Sequence, residues 1–274
     1  MNQFKNILIA SDIDGTLLWG SKIHPRNLER LRYFCDNGGH FALSTGRNHI
    51  DVFRVTKDLR DYVNMPCILC NGSYLYDAVN DKILNPQYLN NEKTVQLFGE
   101  VKDRFEGIGF RASFPQGFLC AEENPIILEQ LKAWNLETLA VVRPLAEFSK
   151  ENLFKAAFVC DNGEKLARLK THIIENYSDV FTVTTSGKTI MEVQPIGISK
   201  KFQFPYLKEM YPDTELWCIG DFNNDLEMLS GADVAVCPEN AVDEVKAICQ
   251  LQVCHCKEGA LAEMIDEIER RLDT

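Results

Sequence analysis

The stretch Asn6-Ile7-Leu8-Ile9-Ala10-Ser11-Asp12-Ile13-Asp14-Gly15-Thr16-Leu17-Leu18 decides how this chain is read. Its short apolar run contains β-branched residues and is too brief for a helix, so it reads as a fully buried strand. The run stops on two acids spaced i, i+2, Asp12 and Asp14. Carboxylates leaving the C-terminal end of a buried strand enter the crevice where open α/β sheets bind ligands. Each would repel the other unless a cation sat between them, and a hard divalent metal meets that need. Gly15 permits a tight turn, and Thr16 is expected to hydrogen-bond the local backbone. Taken alone, the same residues also fit an ordinary Asp-Gly turn after a strand.

Composition narrows the choice of partners. The chain has 274 residues, 45% of them hydrophobic and 25% charged, which is the make-up of a globular protein with a real core. A formal net charge of −11 argues against nucleic acid or an anionic membrane, both of which require a basic surface. No run is long enough to span a bilayer and the start lacks the zones of a signal peptide, so a soluble, cytoplasmic protein is expected. The ten cysteines do not form a zinc pattern. In a strand the thiols of Cys67 and Cys70 face opposite sides, and Cys254-His255-Cys256 has no second pair nearby. Reduced, structural thiols are the expectation. The histidines at 24, 40, 49 and 172 stand singly.

After the first strand, residues 27–34 have apolar positions at helical spacing and stop at Asp36-Asn37-Gly38-Gly39. His40-Phe41-Ala42-Leu43-Ser44-Thr45-Gly46-Arg47 reads as a second strand running into a loop, which makes a βαβ unit. Parallel neighbours end at the same edge, so Thr45 should arrive near Asp12. Its hydroxyl and the Gly46 N–H suit a phosphate oxygen, although a plain helix cap would use the same residues. A helix through about residue 62 and a strand closing at Asn71-Gly72 continue the winding. From about Asn85 the texture becomes mixed: helices over 92–105, 125–134 and 163–177, strands over 154–159 and 180–184. About a hundred residues of that kind form a second domain rather than a loop.

On return, Ser199-Lys200-Lys201 opens a helix where a lysine is unfavourable unless an anion is present. Glu215-Leu216-Trp217-Cys218-Ile219-Gly220-Asp221-Phe222-Asn223-Asn224-Asp225 is again a buried strand delivering acids at its tip. Residues 232–236 read as a further strand, Glu239-Asn240-Ala241 as the opening of a helix to Cys249, and 259–272 as a closing amphipathic helix.

Four segments resemble, in order, the motifs of the haloacid dehalogenase superfamily of phosphotransferases. They are Asp12-Ile13-Asp14-Gly15-Thr16-Leu17, Leu43-Ser44-Thr45-Gly46-Arg47, Gly197-Ile198-Ser199-Lys200 with Lys201 where the family has glycine, and Gly220-Asp221-Phe222-Asn223-Asn224-Asp225. The spacing between the second and third leaves room for the large α/β cap of the Cof-like branch. The resemblance implies an α/β fold: a doubly wound, parallel-sheet, Rossmann-like core over 1–82 plus 195–274, and an inserted α+β cap over 83–194 that sets substrate specificity, with the active site between them. It implies a phosphatase with Mg²⁺ as cofactor. Asp12 would be the nucleophile and Asp14 the general acid and base. The metal would be held by Asp12, Asp221 and the Asp14 carbonyl, with Asp225 orienting those ligands. Lys200, Thr45, Asn224 and the N–H groups of Ile13 and Gly46 would cradle the phosphoryl oxygens, and Arg47 is a candidate substrate contact. A phosphorylated small molecule is the expected partner. A sugar phosphate leads by analogy, with flavin mononucleotide and pyridoxal phosphate as alternatives. A phosphosugar mutase and a non-catalytic phospholigand sensor are the rival functions.

Overall fold

The structure is a computed structural model that describes residues 2–273. Residues 1 and 274, with which the two expected core segments begin and end, lie outside the described residues. The chain divides into two compact units, one reaching to Asn85 and resuming at Ser199, the other spanning Pro86–Ile198.

The first unit begins with β1 (Ile7–Ser11), buried at all five positions as its unbroken apolar run requires. A turn leads into a hairpin of β2 (Leu18–Trp19) and β3 (Lys22–Ile23), then α1 (Pro25–Asp36). Pro25 at the first helical position and the His24 ring, which accepts from the Arg26 N–H, start that helix. β4 (His40–Leu43) and α2 (His49–Val55) follow. α2 ends short of the expected residue 62 because Thr56 leaves the helical region and turns its hydroxyl back on the Val52 carbonyl at 2.7 Å. β5 (Cys67–Leu69), β6 (Tyr74–Asp77) and β7 (Lys82–Leu84) form an antiparallel meander.

The second unit runs α3 (Asn91–Arg104), β8 (Gly109–Phe114), β9 (Gly117–Ala121), α4 (Ile126–Ala133), β10 (Ala140–Arg143), β11 (Lys155–Val159), α5 (Gly163–Tyr177), β12 (Phe181–Thr185) and β13 (Ile190–Pro195). Its strands make one sheet in the order β10-β9-β8-β11-β13-β12. Asn90 and Asn162 cap α3 and α5 through their side-chain oxygens. One face of the sheet packs Phe110, Phe114 and Phe158 against Phe98 of α3 and Leu169 of α5. The alternation of strand side chains puts Arg111, Lys155 and Glu192 on the other face, where Lys155 and Glu192 form a buried ion pair.

The chain re-enters the first unit through one 3₁₀ turn over Lys200–Gln203 and continues as α6 (Phe204–Met210), β14 (Glu215–Ile219), α7 (Leu226–Ser230), β15 (Val234–Pro238), α8 (Asp243–Lys246), β16 (Leu251–Val253) and α9 (Ala260–Leu272). The main sheet is parallel throughout, in the order β16-β15-β14-β1-β4, and a parallel bridge from Ser44 to Ile68 adds β5. Ser11 lies opposite Ile219 on one side and Leu43 on the other, so three strand tips end level. β1 sits between its successor β4 and the late β14, and that reversal of strand order is where open sheets bind ligands. The helix expected from residues 239 to 249 is only the four residues of α8. Val242 is extended and gives its N–H to the Asp221 carbonyl at 3.0 Å, which holds the preceding residues out of a helix. Among the described residues no helix is long and apolar enough to cross a membrane.

Candidate active site

Three carboxylates meet where β1 and β14 end. Asp12 follows β1; Asp221 and Asp225 follow β14; one oxygen from each lies within 4.8 Å of the others. All three are buried. Into the same place the Lys200 side chain brings its ammonium, 2.7 Å from Asp12 Oδ1 and 2.5 Å from Asp225 Oδ1. Lys200 is wholly buried, whereas Lys201 is exposed. Burial alone would lower the Lys200 pKa, but the Asp12 and Asp225 charges outweigh it and hold the ammonium above its usual range. One cation does not balance three anions. Burial lifts the Asp12 carboxyl well above its ordinary value, opposed by Lys200 and reinforced by Asp225 and Asp221. Burial, with Asp225 next to it, pushes Asp221 up to about 7.

The hydrogen bonds sort these oxygens by use. Asp225 engages both: Oδ1 with Lys200, and Oδ2 with the N–H groups of Asp221 and Phe222, each at 3.0 Å. Asp221 Oδ1 accepts from the Thr16 hydroxyl at 2.7 Å. Thr16 was expected to serve the local backbone; it instead reaches across 205 residues because the turn after Asp12 carries it under β14's tip. Those bonds leave Asp12 Oδ2 and Asp221 Oδ2 for a further partner. Gly15, at φ +87°, lies so close that a Cβ there would stand 2.4 Å from Asp221 Oδ2. An all-oxygen donor set of this charge fits a hard divalent cation such as Mg²⁺.

Asp14 lies apart from this cluster. Its carboxylate, about half exposed, is gripped by Arg47 through two bonds of 2.8 Å, and Arg47 also bonds the buried Asp51 at 2.7 Å. Two of the guanidinium's edges are therefore committed within the site itself. Thr45 is buried, with its hydroxyl accepting from the Arg47 N–H at 3.2 Å. Gly46 lies between them on the same loop. Ile13 is buried, and its carbonyl collects the N–H groups of Thr16, Leu17 and Leu18 to close the loop. Asn224 is half-buried and donates from Nδ2 to Asn71 Oδ1 at 3.4 Å.

Asn71, Asp51 and Asn240 were not singled out by their sequence context. Asn240 donates to the Gly15 carbonyl and accepts from the Cys256 N–H, tying the first turn to the C-terminal segment. Asn71 had a faint signal, the Asn-Gly pair at the end of a buried strand. Asn240 stands in the Glu239-Asn240-Ala241 segment, whose pattern names no partner for it, and Asp51 had no signal at all, since the partners of both are set by tertiary packing. All ten cysteines are free thiols, seven of them buried. Among the described residues, the only His, Cys, Asp or Glu cluster able to share an ion is Asp12, Asp221 and Asp225.

Comparison with known proteins gives the family. A family model described as haloacid dehalogenase-like hydrolase matches residues 9–265. The chain belongs to that family. It is 25% identical over an alignment of 289 positions to the 5-amino-6-(5-phospho-D-ribitylamino)uracil phosphatase YwtE of Bacillus subtilis, covering 95% of this chain and 97% of the relative. It is also 25% identical to the pyridoxal phosphate phosphatase YbhA of Escherichia coli, over 94% of this chain and 97% of the relative. In fold it is similar to a haloacid dehalogenase-like hydrolase from Bacteroides thetaiotaomicron, with a TM-score of 0.80 at 23% identity, covering 96% of this chain and all of that one.

Proposed function

We propose that this chain is a Mg²⁺-dependent phosphatase that hydrolyses a small phosphate monoester, most simply a sugar phosphate, through an aspartyl-phosphate on Asp12. As a member of the family with phosphatase-named relatives aligned over nearly its whole length, it is a phosphoric monoester hydrolase. The observation that carries the finer reading is the buried Asp12 at the tip of the central strand, bonded on one oxygen by Lys200 and with the other oxygen left for the substrate or the metal. Mg²⁺ bound by Asp12, Asp221 and the Asp14 carbonyl would neutralise charge on the phosphoryl group.

In the first step an Asp12 oxygen attacks phosphorus in line, the ester P–O bond breaks, and Asp14 gives its proton to the leaving oxygen. In the second, Asp14 takes a proton from water as that water attacks phosphorus, and the Asp12–phosphorus bond breaks to release inorganic phosphate. Lys200 lies between Asp12 and Asp225, and it, Thr45, Asn224 and the N–H groups of Ile13 and Gly46 stabilise the charge on the transferring oxygens. Asp225 positions Lys200 and the Asp221 loop. Arg47 holds Asp14. We assign leaving-group selection to the inserted unit, whose sheet carries Arg111, Lys155 and Glu192 on the face away from α3 and α5.

The test is phosphate release from sugar phosphates, flavin mononucleotide, pyridoxal phosphate and a phosphorylated ribityl pyrimidine. Wild type and Asp12→Asn are compared with Mg²⁺ and with chelator. Turnover that requires both the metal and Asp12 is the expected result. Release that persists in Asp12→Asn would remove the nucleophile assignment, and tight binding of one compound without release would favour a sensor or a mutase.

A further inference from the structure

Between β5 and β6 the backbone turns left-handed over three residues, more than the Asn71-Gly72 pair alone announces. Cys70, Asn71 and Gly72 all adopt positive φ, at 49°, 54° and 94°. A non-glycine residue held there costs roughly 1 kcal/mol or more, with Asn the most tolerant, so two in succession persist only where the surroundings over-determine them. The surroundings are the phosphate-site loops. The Asn71 N–H bonds the Thr45 carbonyl and the Cys70 N–H bonds the Arg47 carbonyl, both at 3.0 Å. The Gly72 carbonyl accepts from Gln203 Nε2 at 2.7 Å, and a Cβ on Gly72 would stand 1.9 Å from the Ser199 carbonyl oxygen, next to Lys200. The Asn71 side chain, 1% exposed, meets Asn224. One residue thus touches or adjoins the Thr45, Lys200 and Asn224 segments.

We propose that Asn71 is a positioning residue of the phosphoryl site: its left-handed backbone places its Oδ1 to fix which way the Asn224 amide faces. The inference rests on the phosphatase reading for the role of Asn224. An amide presents N–H on one side and a carbonyl on the other, and the two orientations are nearly equal in shape. A phosphoryl oxygen needs the N–H side; the carbonyl side would repel it. The Asn224 Nδ2 to Asn71 Oδ1 bond is long at 3.4 Å, and its value lies in selecting that orientation before the ligand arrives. With one N–H of Asn224 directed to Asn71, the other stays available for the ligand. An alanine at 71 would remove the acceptor and add backbone strain together, whereas glycine removes the acceptor while accepting the left-handed conformation.

A double-mutant cycle on binding of inorganic phosphate, by calorimetry with Mg²⁺ present, tests this. Asn71→Gly, Asn224→Ala and the double variant are compared, alongside KM and kcat for p-nitrophenyl phosphate. Asn71→Gly is expected to melt near the wild type, weaken phosphate binding about 5–10-fold, and raise KM more than it lowers kcat. In the Asn224→Ala background the same change should alter binding less than about 2-fold. An equal effect in both backgrounds, or wild-type binding in Asn71→Gly, overturns the proposal. If Asn71→Gly does not fold, Asn71→Asp keeps an acceptor oxygen and tolerates the backbone; Asn224→Ala must then show its full effect in that background. Phosphate binding that follows the cycle without any ester turnover would sink the phosphatase reading and leave the positioning role standing. A wild type that binds no phosphate would sink both.

Discussion

Burial, with Asp225 beside it, pushes the Asp221 carboxyl up to about 7 by disfavouring its charge. Its ordinary value is 3.8, so between these values the folded state binds the proton more tightly than the unfolded state. The stability this group contributes is present below the lower value and is lost as pH rises through the higher one. The proposed binding of Mg²⁺ to this carboxylate would reverse the sign, since the ion would have to displace that proton. The melting-temperature increment on adding Mg²⁺ should therefore be larger at about pH 8 than at about pH 5.5. An increment equal at both would remove Asp221 as a metal ligand. At this scale the sequence was informative wherever a residue's place followed from a strand end. Asp12 and Asp221 stand beside each other for that reason. It was silent wherever a side chain's direction decided the partner. Thr16 turns to Asp221, and Arg47 turns to Asp14 across 33 residues; neither preference is visible in local spacing.

Elements were legible in proportion to how much of their pattern is hydrophobic. β1 and β14 are almost wholly buried and read as strands outright, and α5 spans the 163–177 of its apolar periodicity. The segment 239–249 misled because its composition suits a helix while its polar groups are claimed elsewhere, Asn240 by Gly15 and Cys256, Val242 by Asp221. The turn after β5 was legible from Asn71-Gly72, but its run of left-handed residues from Cys70 was not, for a related reason: packing against Ser199 and Gln203 holds it in that form. That packing makes Gly72 a sensitive point. Gly72→Ala would place a Cβ against the Ser199 carbonyl in a conformation at φ +94° that already disfavours a side chain. The substitution should destabilise the protein by about 1–3 kcal/mol, and because Lys200 follows Ser199, lower kcat as well. Urea unfolding with steady-state kinetics measures both; a variant as stable and active as the wild type would show that the contact relaxes freely.

At the scale of the whole chain, a protein of net charge −11 is proposed to bind a dianion. Long-range repulsion then slows encounter while Lys200 and the metal favour the bound state, and salt screens only the long-range part appreciably. Raising ionic strength from about 10 to about 150 mM should increase kcat/KM for a phosphate ester, by about 2-fold or more, with kcat little changed. A fall would show that a positive local field dominates the approach. The two units differ in how far apart their partners lie in the chain. Contacts of the 86–198 unit join residues within one continuous segment, whereas β1 is paired on one edge with β4 and on the other with β14. During synthesis β14 emerges roughly 200 residues after β1, a delay of ~10–40 s at ~5–20 residues per second. Through that interval the strand that ends at the centre of the sheet is an edge, apolar on both faces and with one row of backbone groups unmatched. The inserted unit can complete itself meanwhile, and the nascent chain's hazard falls on the segment that leads into Asp12, the proposed nucleophile.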